Sequence, residues 1–383
     1  MNTPLFSDRD THYMARAITL AKKGRFTSSP NPNVGCVIVA DSVIVGEGFH
    51  QKAGLGHAEV NALAVAKEKA ANATCYVTLE PCSHFGRTPP CAMALIKAGV
   101  KRVVVAMVDP NPKVAGRGIK ILEEAGIQVD VGLLEKQAEA LNSGFIKRMQ
   151  VKLPRITVKL ASSLDGKTAL KNGQSQWITG PEARRDVQYF RALHSAVLSG
   201  SGTVIADNPS LNVRYQELKE HPDFDLNLQA SDIRQPMRII LDSHNKLTLK
   251  EKLFSLAGRI LLVSLAPRHD LQENKDKTIA HVEQIICADD GDGRINLKNL
   301  LTQLNDYEIN DLWVEAGATL AGEFFNQQLV DQFILYQAAK LMGDQARNLV
   351  NLPDYSKMDD VVQLKLQDVA LIGNDIRIIS NRE

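Results

Sequence analysis

Apolar residues recur along this chain in two registers, and the changes of register mark its elements. Met14, Ala17, Ile18 and Ala21 fall at helical spacing, which predicts a helix from Asp8 that stops at Gly24. Short apolar runs over 36–40 and 43–46 flank Asp41-Ser42, the pattern of a hairpin. Val60, Leu63, Ala64 and Ala66 give an inner face to a helix over 57–71. A buried strand follows over 75–79, then a helix over 92–98 and a Val-rich strand over 102–108, suited to cover on both faces. A helix stopped by Gly126 and a strand over 128–131 complete the alternation, which predicts a three-layer α/β domain. One connecting helix over 135–149 then leads to a linker at Pro154.

The pattern restarts beyond the linker with a strand that ends in the turn Leu164-Asp165-Gly166-Lys167. Gly180-Pro181 with Glu182 opens a helix whose apolar face is Ala183, Val187, Phe190 and Leu193, with Arg184, Arg185 and Arg191 at polar positions. A strand over 197–199 runs into a turn of small residues over 200–203. Residues 215–235 are polar and aperiodic, which predicts a surface loop. Further strands are expected in MRIILDS and GRILLVSLAP. The strand over 312–315 runs into a turn from Glu315 to Gly322, which opens a helix over 323–328. Strand, glycine turn and helix start is an arrangement that collects phosphate. The last strands flank Gly-Asn-Asp as a hairpin. No Gly-x-Gly-x-x-Gly follows the first strand, so a Rossmann domain is not supported.

A chain of 383 residues suggests two or three domains, and the reading places one over 1–149 and another over 150–383. Lys and Arg number 45 against 44 Asp and Glu, so the overall charge gives no reason to expect nucleic acid or an anionic membrane as partner. No apolar run is long enough to span a bilayer, and the start lacks the layout of a signal peptide. The five cysteines, an odd number, fit a reducing cytoplasm better than a disulfide framework.

The candidate chemistry lies between His57 and Cys91. His57, Cys82 and Cys91 offer an imidazole and two thiolates, and zinc held by three protein ligands keeps a fourth position for water. Glu59 follows the histidine by two residues and can move protons. His-x-Glu followed by Pro-Cys and a second cysteine is the pattern of zinc deaminases acting on bases and nucleosides. The spacing departs from the common Pro-Cys-x-x-Cys, because eight residues separate Cys82 from Cys91. His84, inside that insertion, is read as a loop-packing or substrate residue, since a fourth protein ligand would close the site. Asn33, in the loop FTSSPNPNVG, either serves a tight turn or faces a polar ring edge. Asp109, Asn111 and Arg117 lie after a strand end, where open sheets bind ligands.

PNPNVGCVIV, HAEVNAL and TLEPCSHFGRTPPC together resemble the deaminase half of the bacterial bifunctional riboflavin-biosynthesis deaminase/reductase family, in which the longer cysteine spacing is usual. VKLASSLDGKTA, SQWITG, the run from ARRDVQYF to NPSLNVR, RIILDS and LWVEAGATLAGEF are similar to its reductase half. The resemblance implies a three-layer cytidine-deaminase-like N-terminal domain and a dihydrofolate-reductase-like α/β C-terminal domain that uses NADPH. It implies zinc on His57, Cys82 and Cys91, Glu59 as proton shuttle, and Asn33 toward the pyrimidine. At NADPH it implies Ala161, Trp177, Thr203, Asp207, Ser243 and the turn Gly317, Ala318, Thr319, Leu320, Ala321, Gly322 and Glu323. At a ribosyl-phosphate substrate it implies Ser175, Arg191, Leu211, Arg214 and Glu315. Arg191 and Arg214 can each clamp phosphate with paired hydrogen bonds, although either alone reads as a solvated charge.

The expectation is one small-molecule substrate handled twice, by hydrolytic deamination and then by hydride transfer, with a homo-oligomer left open. A cytidine or polynucleotide deaminase with an unrelated tail is the competing enzyme, and a zinc-stabilised binding protein the competing non-enzyme. A polynucleotide enzyme would call for a basic, aromatic-laced strand, and none is apparent.

Overall fold

A computed structural model describes residues 6–83, 90–112, 114–273 and 281–382. The chain divides into two compact units, Met1–Lys152 and Leu153–Glu383. Among the described residues, no helix is long and apolar enough to cross a membrane.

In the N-terminal unit the elements run α1 (Asp8–Ala21), β1 (Gly35–Ala40), β2 (Val43–Phe49), α2 (Ala58–Ala66), β3 (Thr74–Val77), α3 (Cys91–Lys97), β4 (Arg102–Val105), α4 (Arg117–Glu124), β5 (Gln128–Val131), α5 (Glu135–Leu141) and α6 (Ser143–Val151). The five strands lie in the order β2-β1-β3-β4-β5. β1 pairs antiparallel with β2 and β3, and β3, β4 and β5 run parallel. Side chains alternate across each strand. Cys36, Ile38, Cys75, Val77, Val103 and Val105 face Ala62, Leu95 and Leu122 of α2, α3 and α4. Val37, Val39, Tyr76 and Val104 face Met14 and Ile18 of α1 and Ala138 of α5. The unit is therefore three layers, with the apolar alternation of the strands dividing the core in two.

Two local features depart from the sequence expectation. The helix expected over 135–149 breaks at Asn142, whose Oδ1 accepts the Asn33 N–H (2.7 Å) and whose Nδ2 donates to the Asn33 carbonyl (2.9 Å). An asparagine side chain that bonds backbone elsewhere competes with helix continuation, and here it wins. The helix expected over 57–71 ends its α-helical part at Ala66 and closes as a 3₁₀ turn.

In the C-terminal unit the elements run β6 (Arg155–Ser163), β7 (Lys167–Ala169), α7 (Pro181–Leu193), β8 (Ala196–Gly200), α8 (Ser201–Asp207), α9 (Tyr215–Leu218), β9 (Met237–Leu241), β10 (Ile260–Ser264), α10 (His269–Glu273), β11 (Val282–Ile286), α11 (Leu297–Gln303), β12 (Asp311–Glu315), α12 (Ala318–Asn326), β13 (Gln332–Ala338), β14 (Arg347–Asn348), β15 (Leu364–Ile372) and β16 (Asp375–Arg382). Nine strands form one sheet in the order β11-β10-β9-β8-β12-β6-β13-β16-β15. The first seven in that order are parallel, and the β15–β16 hairpin adds the antiparallel edge. One face packs Ala183 and Val187 of α7 and Val204 of α8 around Trp313. The other packs Leu300 of α11 and Ala321 and Phe324 of α12 against Val158, Leu198 and Val314.

The neighbouring strands β8 and β12 thus send their following helices to opposite faces. That leaves a crevice at their C-terminal ends, the place where open α/β sheets bind ligands. The small-residue turn expected over 200–203 is the first turn of α8, and α12 begins at Ala318 rather than Glu323.

Candidate active sites

Glycine in β2 sets up the N-terminal site. A Cβ on Gly46 would lie 2.3 Å from the Ala62 carbonyl oxygen, and one on Gly48 would lie 2.4 Å from that of Ala58. Only hydrogen at both positions lets α2 lie backbone-close on the sheet, with Ala58, Ala62 and Ala66 buried as its inner stripe. The N-terminus of α2 is fixed by that packing. His57 caps it in an extended conformation, and Glu59 lies in its first turn, 3 % exposed. Cys82 leaves the turn that follows β3, and Cys91 is the first residue of α3.

The ligand atoms of His57, Cys82 and Cys91 lie within 4.8 Å of one another. The His57 Nδ1 stands 3.5 Å from the Cys82 Sγ and 3.3 Å from the Cys91 Sγ, and the Cys91 N–H donates to the Cys82 Sγ at 3.2 Å. Hydrogen bonding from Cys91 holds the Cys82 thiol far below its usual range, at about 4, and pushes Cys91 up. Burial raises the Glu59 carboxyl to about 7. An imidazole and two sulfurs that converge on one point form a donor set that fits zinc.

His50 was not singled out by the sequence. It is 3 % exposed and lies edge-on to His57, ring centroids 5.4 Å apart. Its Nδ1 faces the Gly56 carbonyl (3.2 Å) and its Nε2 faces the Asn31 amide nitrogen (3.0 Å). A carbonyl only accepts and an amide nitrogen only donates, so Nδ1 carries the proton and the ring is neutral. Burial, which lowers the His50 pKa, acts in the same direction. Asn33 holds the loop instead. Its Nδ2 donates to the Leu141 carbonyl at 3.1 Å and its Oδ1 accepts from Ser28 at 2.9 Å. Asn31 is the amide that reaches the surroundings of His57. A histidine directly after a strand that contains Gly-x-Gly was the available signal for His50. His84 lies outside the described residues.

In the C-terminal unit the implied residues gather along the C-terminal strand ends. Ala161 is on β6, opposite Tyr336 in register. Thr203 and Asp207 are on α8 after β8, Ser243 follows β9, and Gly317 caps α12 after β12. The Ser175 hydroxyl reaches Asp207 at 3.4 Å. Trp177 is 62 % exposed, with the Arg184 guanidinium 4.4 Å from its ring. A Cβ on Gly202 or Gly317 would meet nothing within 4 Å, so both backbones face open space beside the crevice. The α12 N-terminus adds unpaired N–H groups and a positive dipole end, which fits the pyrophosphate of a dinucleotide. Ala318, Thr319, Leu320 and Glu323 share that helix start. Ala321 and Gly322 turn inward, and a Cβ on Gly322 would lie 1.9 Å from the Asn351 carbonyl oxygen.

Both arginines of the substrate set are paired with carboxylates. Arg191, 7 % exposed, meets Glu315 through both arms, Nε–Oε1 2.5 Å and Nη2–Oε2 2.9 Å, and gives its Nη1 to the Asn212 carbonyl at 3.1 Å. The Trp313 indole also donates to Glu315 at 2.8 Å. Arg191 and these bonds, outweighing burial, hold the Glu315 carboxyl down at about 2. Lys159 is opposite Glu315 in register, and burial lowers its pKa although Glu315 opposes the effect. Arg214 grips Glu217 three residues on, at 2.5 and 2.8 Å. Leu211 is buried at φ 51°, a strained conformation for a branched side chain, and it packs in the core beneath this cluster. Lys159 had no sequence signal, because a lysine in an apolar strand reads as an outward-facing position.

Comparison with known proteins matches both units. Residues 7–107 match the family model of the cytidine and deoxycytidylate deaminase zinc-binding region, and residues 154–378 match that of the RibD C-terminal domain. The riboflavin biosynthesis protein RibD of Haemophilus influenzae is 51 % identical over 97 % of this chain and 97 % of its own. That of Escherichia coli is 50 % identical over 96 % of this chain and 98 % of its own. The solved structure of Acinetobacter baumannii RibD, form 2, superposes with a TM-score of 0.89 at 44 % identity, covering 98 % of this chain and 99 % of that one. A Thermotoga maritima deaminase/reductase superposes with a TM-score of 0.83 at 34 % identity, covering 98 % and 99 %. A zinc-type cluster in one unit, a ligand crevice in the other and this likeness along both place the chain in the RibD family, the bifunctional deaminase/reductases of riboflavin biosynthesis.

Proposed function

We propose that the unit over 1–149 deaminates a 2,5-diamino-6-(phosphoribosylamino)pyrimidinone and that the unit over 150–383 reduces the ribosylamino side chain to ribitylamino. The observation that carries the first half is the convergence of His57, Cys82 and Cys91 within 4.8 Å beside the buried Glu59. Zinc on these three residues supplies Lewis acidity that makes water a nucleophile near neutral pH. Glu59 takes one proton from the attacking water and delivers it to the ring nitrogen, then takes the remaining proton of the added hydroxyl and gives it to the departing amino group, which leaves as ammonia. A carboxyl near 7 suits both directions of transfer. Asn31 and His50 line the approach beside His57, with Asn33 bracing the same loop. The products are a ring carbonyl and ammonia, so water and amine balance.

In the second half, bound NADPH supplies the hydride. The crevice between β8 and β12 is the supported place for it, with Gly317–Glu323 toward the pyrophosphate, Ala161, Trp177, Thr203 and Asp207 along the crevice, and Ser243 beyond β9. Arg214 and Arg191 serve the substrate phosphate, with Ser175 and Leu211 shaping the pocket and Glu315 orienting Arg191. The protein's part is position and electrostatics.

Glu59→Gln tests the reading. Zinc content and NADPH oxidation on the deaminated pyrimidine are expected to stay at the wild-type level. Ammonia release is expected to fall at least about 10²-fold, the contribution of a positioned proton carrier. Ammonia release at the wild-type rate would overturn the assignment of deamination to this unit.

A further inference from the structure

One buried carboxylate in the N-terminal unit has no part in the steps above. Glu80 stands in Leu79-Glu80-Pro81-Cys82, two residues before a metal ligand, and is 3 % exposed. One of its oxygens accepts the N–H groups of Asp109 (3.1 Å) and Gly116 (2.9 Å). The other accepts those of Gly118 (2.8 Å) and Ile119 (3.4 Å). The Glu80 N–H donates to the Met107 carbonyl at 3.0 Å. A Cβ on Gly118 would lie 1.9 Å from the Pro81 carbonyl oxygen and 3.2 Å from the Glu80 Oε1. The segment that leaves β4 is therefore held against the turn that delivers Cys82 from two sides, by hydrogen bonds to the carboxylate and by backbone packing beneath Pro81.

Topology says what that mooring is for. β3 and β4 are parallel neighbours with Val77 opposite Val105, so the chain leaves both at the same edge of the sheet. Cys82 leaves one strand end and Asp109 the other. A carboxylate suits the position because each oxygen takes more than one donor and bonds to a charged acceptor are stronger than neutral ones. The bond from Gly118 is fully buried, where losing an acceptor is most costly.

We propose that Glu80 is a positioning residue for deamination: its carboxylate clamps the N–H groups of Asp109, Gly116, Gly118 and Ile119 onto the Glu80–Cys82 turn, so that the metal ligand and the loop after β4, at the strand ends where open sheets bind ligands, keep one fixed spacing. This rests on deamination belonging to the N-terminal unit.

The test uses the full chain loaded with zinc. Glu80→Gln keeps the shape, but it offers one acceptor oxygen and turns an amide N–H group toward donors. KM for the aminopyrimidine is expected to rise about tenfold, and kcat per bound zinc to fall by a similar factor, as expected for misplacement of a reacting group. Zinc stoichiometry and the reductase rate of the same molecules should stay within about twofold of wild type, well short of that effect. Amide exchange at Gly116 and Gly118 should accelerate. Gly118→Ala pushes the same segment chiefly from the Pro81 side, where the approach is 1.9 Å, while the carboxylate keeps its charge and both acceptor oxygens, and the same pattern is expected. If exchange at Gly116 and Gly118 accelerates in either variant while KM and kcat per zinc stay at wild-type values, Glu80 only stabilises the fold and the proposal is overturned. A Glu59→Gln variant that still releases ammonia would instead remove the reading beneath it.

Discussion

In the N-terminal unit the reactive groups are delivered by backbone. His57 and Cys91 stand at the starts of two helices, Cys82 follows a strand, and glycines in β2 fix the first helix on the sheet. In the C-terminal unit the charged side chains proposed for the substrate hold carboxylates of their own unit. Arg191 faces Glu315, Arg214 faces Glu217, and Lys159 lies beside Glu315. Local backbone geometry brings the three ligand atoms together within 4.8 Å. A buried cation such as Arg191 is kept compensated by its carboxylate, because a buried unpaired charge is expensive.

Breaking the buried pair is the strongest way to test that contrast. Glu315→Gln leaves Arg191 uncompensated in a place where the two side chains are 9 % and 14 % exposed. A loss of about 3–5 kcal/mol is expected in the urea-induced unfolding of the C-terminal unit, with zinc content unchanged. A loss below about 1 kcal/mol, the range of solvent-exposed pairs, would mean that the pair is no more than a surface interaction.

Gly322→Ala gives a smaller effect and sharpens the picture of the crevice. Alanine favours a helix interior over glycine by about 1 kcal/mol, so propensity alone predicts stabilisation. The 1.9 Å approach to the Asn351 carbonyl is backbone and cannot rotate away, and overpacking of this kind costs about 1–3 kcal/mol. The expected net result is destabilisation together with weaker NADPH binding in a fluorescence titration. Unchanged affinity would separate the helix start from the cofactor.

The effect smallest per step of the measurement is a pH dependence. His194 is 4 % exposed, bonded to the Phe190 carbonyl at 2.6 Å and near the Thr157 hydroxyl at 3.2 Å, and burial pushes its pKa down to about 3 from 6.5. The unfolded chain binds this proton first. The contribution of the neutral ring is full above pH 6.5 and is lost as pH falls toward 3. The slope it adds is at most about 1.4 kcal/mol per pH unit. His194→Gln should flatten the stability profile below pH 6.5, and an unchanged slope would show that the ring is protonated in the native state.

Much of this was readable in the residues, for reasons that differ between the units. Metal ligands of one motif lie close in sequence, and the apolar strand between His57 and Cys82 fixes their return to one place. The hairpin at Asp41-Ser42 and the Val-rich strand at 102–105 also follow from local pattern. The crevice was not readable from pattern, because its residues come from six strand or helix ends whose adjacency depends on sheet order. β12 enters between β8 and β6 long after both are formed in sequence, and no local signal records that insertion. Arg191 reads as a solvated charge on an amphipathic helix, yet Glu315 lies 124 residues away and buries it. Asn142 breaks a helix through a partner 109 residues upstream, which periodicity cannot register.

Metal content paired with ammonia release, measured on purified Cys82→Ser and Cys91→Ser chains, tests the central claim most directly. The account predicts loss of stoichiometric zinc and of deamination in both, with NADPH-dependent reduction of the deaminated pyrimidine preserved. Ammonia release at the wild-type rate from a chain that binds no zinc would contradict it.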